Sequence, residues 1–299
     1  MHRLVSLSLL AGLAALSAVV GLLLFGPTVA VLVLAAIFLL NWLALGRARS
    51  LVLWVHRARP LTRWQAPGLY DIAADLAQRA RVPLPQLAVY PSQMPNAFAV
   101  GTKAHEGVVA VSTGLLDLLG AREVRGVLAH EFAHLKNRDS TLSLASGIFV
   151  QVITVASQGF LLLAFALLLS GGLPFQGSGL FPTLVLVASA PSGAAALQAG
   201  LLRTRERLAD REAALMTGDP RGLASALHRL NEYSRYLTGW LRRFRFIYTS
   251  EDEGGVRLLR THPSTAERVR DLLAMEREAA PGSGPTPGRT RGPVYRRVG

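Results

Sequence analysis

Two long stretches of this 299-residue chain, Leu4–Gly46 and Thr141–Leu202, carry no charged side chain. A helix needs about 20 apolar residues to cross the hydrocarbon core of a bilayer, so each stretch is long enough to cross twice. The first breaks at Phe25-Gly26-Pro27, which predicts spans near residues 5–24 and 28–45. The second breaks at Ser170-Gly171-Gly172-Leu173-Pro174 and stays polar and glycine-rich to Gly179, which predicts spans near 146–169 and 180–201. Residues 1–46 and 141–202 therefore read as two membrane hairpins. A signal peptide is the competing reading of the N-terminus, because Arg3 precedes an apolar run with small residues near Ala18. A second span beginning directly after a tight turn argues against it.

With 51% hydrophobic and 17% charged residues, the composition is also unusual for a soluble protein. The formal net charge of +13 would suit a nucleic-acid partner if it were spread over one face. Instead Arg3, Arg47, Arg49, Arg57, Arg59, Arg63, Lys136, Arg138, Arg203, Arg205 and Arg207 flank the outer ends of the spans, and the two hairpin turns have no Lys or Arg. By the positive-inside rule, the basic ends, both termini and the polar segments face the cytoplasm, and nucleic acid is not an expected partner. The chain has no cysteine, so it can form neither a disulfide nor a thiolate metal site.

The polar segments 47–140 and 203–279 emerge on one face of the membrane and are expected to form a single discontinuous domain. Apolar spacing at Ile72, Leu76 and Ala80 predicts a helix over Tyr70–Arg81. Gln86–Tyr90, Asn96–Val100 and Gly107–Ser112 read as strands of a small sheet. A helix over Ala121–Asn137 leads into the third span. The fourth span continues as helix through Arg203–Met216, stops at Gly218-Asp219-Pro220, and is followed by an amphipathic helix over Arg221–Tyr236. Aromatic and basic residues alternate over Trp240–Phe246, which fits either contact with the membrane surface or an ordinary half-buried segment. The Pro-, Gly- and Arg-rich tail 280–299 lacks the side chains for a core and is expected to be disordered.

His130-Glu131-Phe132-Ala133-His134 has the pattern H-E-x-x-H within a helical segment. Four residues make about one helical turn, so both imidazoles leave the same face and can share one metal ion. Glu131 lies one step round the helix, placed to take a proton from an attacking water without binding the metal itself. Val124, Leu128, Phe132 and Leu135 give the helix an apolar side to pack inwards. Two imidazoles, a carboxylate and an open position suit zinc, one ion per chain, and a third ligand must then be supplied. Glu206, on the extension of the fourth span, is the candidate, although the same position suits a surface carboxylate among arginines. Asp210, one turn on, can orient a ligand imidazole.

Several further motifs surround this pattern: Pro95-Asn96-Ala97-Phe98-Ala99-Val100-Gly101, Gly114-Leu115-Leu116, Gly126-Val127-Leu128-Ala129, Lys136-Asn137-Arg138-Asp139, Glu206-x-x-Ala209-Asp210 and Thr261-His262-Pro263. Together they make Trp54 to Met275 resemble the HtpX group of membrane zinc endopeptidases, related more distantly to the CAAX prenyl proteases. The resemblance implies a mainly α integral membrane protein with four spans in two hairpins and a zincin-like α+β catalytic domain. It also implies Glu206 as third zinc ligand with Asp210 behind it, His262 as an oxyanion donor, and substrate-backbone contacts at Asn96, Ala97, Phe98 and Asn137. The implied substrates are misfolded or damaged membrane polypeptides in a bacterial plasma membrane, and oligomers are compatible with it. Leu208 departs from the family, standing where an aromatic is common, and the tail after Met275 has no counterpart.

Two other readings compete. A CAAX-type prenyl protease is expected to have more spans than four. A non-catalytic membrane protein with a structural metal would have no use for Glu131, and a transporter would carry ionisable residues inside its spans.

Overall fold

The computed structural model describes residues 2–101, 107–170, 180–241 and 263–279. The expectations for His262, the turn 171–179, residues 242–246 and the tail 280–299 fall outside these residues.

Helix α1 (His2–Val55) departs from helical geometry at Gly26, where φ is 76° and ψ is 175°, and Pro27 follows. Only glycine adopts such a backbone freely. The part before this break packs against α5 (Asp139–Leu169) and α6 (Leu180–Thr217), burying Leu13 and Val20 with Ile153, Ala190 and Ala194. Leu9 lies over Gly200 and Leu16 over Gly193, so this part of α1 runs antiparallel to α6. Among the described residues, three segments are long and apolar enough to cross a membrane, within Leu4–Leu22, Asp139–Leu169 and Phe181–Thr217. The fourth expected span, 28–45, is helical but is not one of the three.

The polar part is built on a four-stranded sheet of β1 (Arg59–Pro60), β2 (Gln86–Tyr90), β3 (Ala97–Val100) and β4 (Val108–Ser112), in the order β1-β2-β4-β3. Strands β2 and β4 pair in parallel, with Leu87 opposite Val109, and the other pairings are antiparallel. Alternation along the strands separates the two faces. Leu87, Val109 and Val111 enter the main core, whereas Ala88, Tyr90, Val108 and Ala110 meet Leu53, Ala58 and Phe98 on the other side. The end of α1 therefore covers the outer face of the sheet.

Helices α2 (Pro67–Ala80), α3 (Thr113–Leu118), α4 (Ala121–Asn137), α7 (Pro220–Leu241) and α8 (Thr265–Ala279) complete the domain with the end of α6. Leu76, Leu115, Leu128, Phe132, Leu223 and Leu272 are fully buried between them. The short α3 and the two-residue β1 go beyond the sequence expectations. A hydroxyl cap starts α3, with Ser112 Oγ accepting from the Leu115 N–H, and six residues are too few for a visible periodicity.

Helix α4 carries the H-E-x-x-H pattern and sits on three supports. Glu123 accepts from the Gly120 N–H at 2.9 Å and opens the helix. At Gly126 the helix lies so close to α7 that a Cβ would stand 2.7 Å from the Leu223 nitrogen. Fully buried Ala129 and Ala133 on α4, with Ala209 and Ala213 on α6, let those two helices pack closely. Arg138, in the left-handed conformation with φ 55°, ends α4 and turns the chain into α5.

Candidate metal centre

The close packing of α4 on α6 brings three ligand-type side chains together. His130 Nε2 and His134 Nε2 are 3.0 Å apart. The Glu206 carboxylate lies 3.6 Å from each of them, Oε2 towards His130 and Oε1 towards His134. The ligand atoms of all three residues lie within 4.8 Å of one another. A tetrahedral ion with bonds of about 2.0–2.1 Å spaces its ligands about 3.3 Å apart, so the observed separations fit one ion.

The far side of each imidazole faces a carboxylate. His130 Nδ1 is 3.0 Å from Asp210 Oδ1, in close contact but out of line for a hydrogen bond. His134 Nδ1 is 2.7 Å from Asp139 Oδ2. Both Nε2 atoms are thereby left as the inward-facing nitrogens, and two facing lone pairs repel unless a cation or a proton lies between them.

Each of these carboxylates is held by an arginine. Arg268, on α8, donates to Asp210 from two nitrogens at 2.8 and 2.7 Å and reaches Glu206 Oε2 at 3.3 Å. Arg205, on α6, donates through Nε to Asp139 at 2.5 Å. Asp139, Arg205 and Asp210 are all buried. Among the described residues, the carboxylates of Glu131, Asp139, Glu206 and Asp210 gather here against the guanidinium groups of Arg205 and Arg268. A surplus of carboxylates over guanidinium groups suits a cation.

The electrostatics lead the same way. Burial alone would drive the proton off His134, but the hydrogen bond to Asp139 and the charges of Glu131 and Glu206 outweigh it and raise the imidazole to about 9. In the absence of a cation, a proton fills the role, and a metal must displace it to bind. For Arg268 burial works against the charge, yet Asp210, Glu206 and Glu131 raise its pKa above the ordinary guanidinium value.

Glu131 is buried beside the imidazoles, and among the described residues no hydrogen bond or ion pair engages its carboxylate. Asn96 enters the sheet through its backbone, accepting from Ser112 N–H and donating to Ser112 Oγ, both at 2.9 Å. Strand β3 then follows as an edge of the sheet among the described residues. Because Asn96 exchanges its bond with Ser112, alternation turns the N–H and C=O of Ala97 and Ala99 away from β4. Ser140 Oγ donates to the Ala99 carbonyl at 3.1 Å, while among the described residues no hydrogen bond engages the Ala97 N–H or C=O. Phe98 points to the other face, in ring contact with Tyr90 and His56. Asn137 is turned back on its own helix, donating to the Ala133 carbonyl at 2.9 Å.

Three residues of this centre have no role in the sequence reading. Arg205 is grouped there with the basic residues flanking the spans, but it is buried against Asp139 and contributes nothing to a surface charge. Asp139 stands five residues after His134, roughly 140° away on a continuous helix, and only the left-handed turn at Arg138 brings it back. Arg268 arrives with α8, whose start does carry a sequence signal: Ser264 and Glu267 cap each other, with nitrogen to oxygen distances of 3.2 and 3.3 Å.

The chain is similar to known proteins along most of its length. The model of Peptidase family M48 matches residues 63–276. A protease HtpX homolog of Pelotomaculum thermopropionicum is 34% identical, aligned over 89% of this chain and 96% of its own. One from Kineococcus radiotolerans is 38% identical over 76% of this chain and 79% of its own. The crystal structure of S. mikatae Ste24p, 20% identical, covers 79% of this chain and 56% of its own at a TM-score of 0.47. A match over most of the polar part, relatives aligned along most of their length, and membrane-length helices feeding a His-His-Glu cluster make one assignment: this chain belongs to peptidase family M48 and is a membrane metalloprotease.

Proposed function

We propose that the protein is a zinc endopeptidase that hydrolyses membrane or membrane-associated polypeptides from the cytoplasmic side of a bacterial plasma membrane. One observation carries this reading: the inward nitrogens of His130 and His134 and the Glu206 carboxylate converge, with the Glu131 carboxylate, unengaged among the described residues, buried beside them. His130, His134 and Glu206 would hold the ion. When bound, zinc supplies Lewis acidity towards the scissile carbonyl and lowers the pKa of a water molecule.

The remaining steps belong to the chain's own groups. Glu131 takes the proton of the attacking water and delivers it to the leaving amine, as general base and then general acid. Asp210 and Asp139 keep the imidazoles turned inwards. The open edge at Asn96, Ala97 and Phe98 receives the substrate as an added strand, which sets the scissile bond in register. His262, assigned by family resemblance, donates to the oxyanion. Asn137, likewise assigned by resemblance to substrate contact, would first have to release the Ala133 carbonyl.

The membrane part is proposed to have four spans. Leu9 lies beside Gly200 and Leu53 on the sheet, so both ends of α1 are near the polar domain. A straight helix would separate these residues by about 66 Å, so the break at Gly26 supports a reversal there and a span over 28–45. Removal of damaged membrane proteins is the role that the family resemblance suggests.

Zinc content and casein hydrolysis in detergent test the reading on the wild type, Glu131→Gln and Glu206→Ala. Wild type should hold about one zinc and cleave; Glu131→Gln should keep the metal and lose about 10²–10⁴-fold in rate; Glu206→Ala should lose both. A wild type without zinc, or a Glu131→Gln variant that cleaves like wild type, would sink the proposal.

A further inference from the structure

We propose that Asp139 is a positioning residue for the metal centre, fixing His134 and, through Arg205, tying that imidazole to the helix that presents Glu206. The inference rests on the metal reading given above and extends it to residues that do not touch the ion.

An imidazole that binds metal through Nε2 is free to rotate unless Nδ1 is held, and the group holding it commonly sets ligand orientation and basicity. Here Asp139 Oδ2 holds His134 Nδ1 at 2.7 Å, and the other oxygen, Oδ1, takes the Arg205 guanidinium. The same sequence of imidazole, carboxylate and guanidinium occurs at His130, Asp210 and Arg268. The two relays differ in origin. The second ends on α8, within the polar domain, whereas Asp139 is the first residue of the membrane helix α5 and Arg205 extends the membrane helix α6.

Arg205 immediately precedes Glu206. On a helix, adjacent residues point about 100° apart, which lets one side chain face Asp139 while the next faces the imidazoles. The Asp139–Arg205 pair therefore fixes the rotation of α6 relative to the α4–α5 junction, and with it the placement of both His134 and Glu206. Both residues of this pair are about 5% exposed or less. A buried ion pair is a poor source of stability, because desolvation offsets most of the attraction. Its use here is geometric.

The test uses the full-length protein in detergent with zinc, a competing chelator and cobalt as a spectroscopic substitute. Wild type is compared with Asp139→Asn and with Asp139→Ala/Arg205→Met, which removes both buried charges so that no lone guanidinium is left inside. Both variants should bind zinc about 10–100-fold more weakly than wild type and show a displaced cobalt d–d band, while the metal-free double variant still unfolds cooperatively. The proposal is overturned if the double variant folds and matches wild type in zinc affinity and cobalt spectrum. Failure of both variants to fold assigns the pair to the fold itself and overturns it too. A wild type without zinc would instead remove the metal reading, before any variant is compared.

Discussion

Arg268 grips Asp210 with two nitrogens, at 2.7 and 2.8 Å, although the two residues lie 58 positions apart in the chain. Both are largely buried, so removing the cation leaves Asp210 without its counter-charge beside Glu206. Arg268→Ala should cost about 3–5 kcal/mol in the metal-free protein. Arg268→Lys keeps the charge but not the two-pronged geometry and should cost less. Thermal unfolding in the presence of a chelator checks both, and equal stability of Arg268→Ala and wild type would remove the role assigned to the pair.

The raised pKa of His134 gives opposite pH dependences with and without metal. An unfolded histidine titrates near 6.5 and the folded one at about 9. The metal-free protein therefore holds the full benefit of the proton below pH 6.5 and loses it as the pH rises through 9, a difference of about 3 kcal/mol. Metal competes with that same proton, so apparent zinc affinity should increase about tenfold per pH unit as the pH approaches 9. Unfolding of the chelated protein at pH 6 and pH 9, with zinc competition at the same values, measures both trends. A chelated protein that is more stable at pH 9 than at pH 6 contradicts the assignment.

These effects also mark how far the centre can be read from the sequence. His130, Glu131 and His134 are legible because a single helical period brings them together; a second period puts Glu206 and Asp210 on one face of α6, but spacing alone also suits a surface carboxylate there, and the family resemblance is what singles Glu206 out. Asp139 is not, since its approach depends on a left-handed residue at Arg138, which has no glycine or asparagine to signal it. Arg268 depends on how α8 docks, which local periodicity cannot express. The strands and long helices are visible for the same reason as the motif, whereas two-residue β1 is too short for a pattern.

The contact at Gly126 is a packing constraint that the catalytic helix cannot relax. Alanine there would gain up to about 1 kcal/mol in helix propensity. Its Cβ would meet Leu223 N and Cα at 2.7 and 2.8 Å, and those are backbone atoms that cannot rotate away. Overpacking of this kind costs about 1–3 kcal/mol. Gly126→Ala should therefore be net destabilising by about 1–2 kcal/mol, read as a lowered denaturant midpoint, and a variant as stable as wild type would show that α4 and α7 separate easily.

Ala97 separates substrate binding from folding. Its N–H and C=O face away from β4, so no ladder bond within the sheet depends on that N–H. Proline is tolerated on an edge strand when the lost donor points outwards. Ala97→Pro should leave the unfolding temperature within a few degrees of wild type. If an extended peptide is received at this edge, the lost donor removes one backbone hydrogen bond to substrate, worth about 0.5–1.5 kcal/mol, and the ring obstructs the approach of the strand. The expected result is a kcat/KM lowered about tenfold or more, with KM carrying the change and zinc content unaltered. An Ala97→Pro variant that folds, holds zinc and cleaves an unstructured protein at the wild-type rate would place the substrate elsewhere.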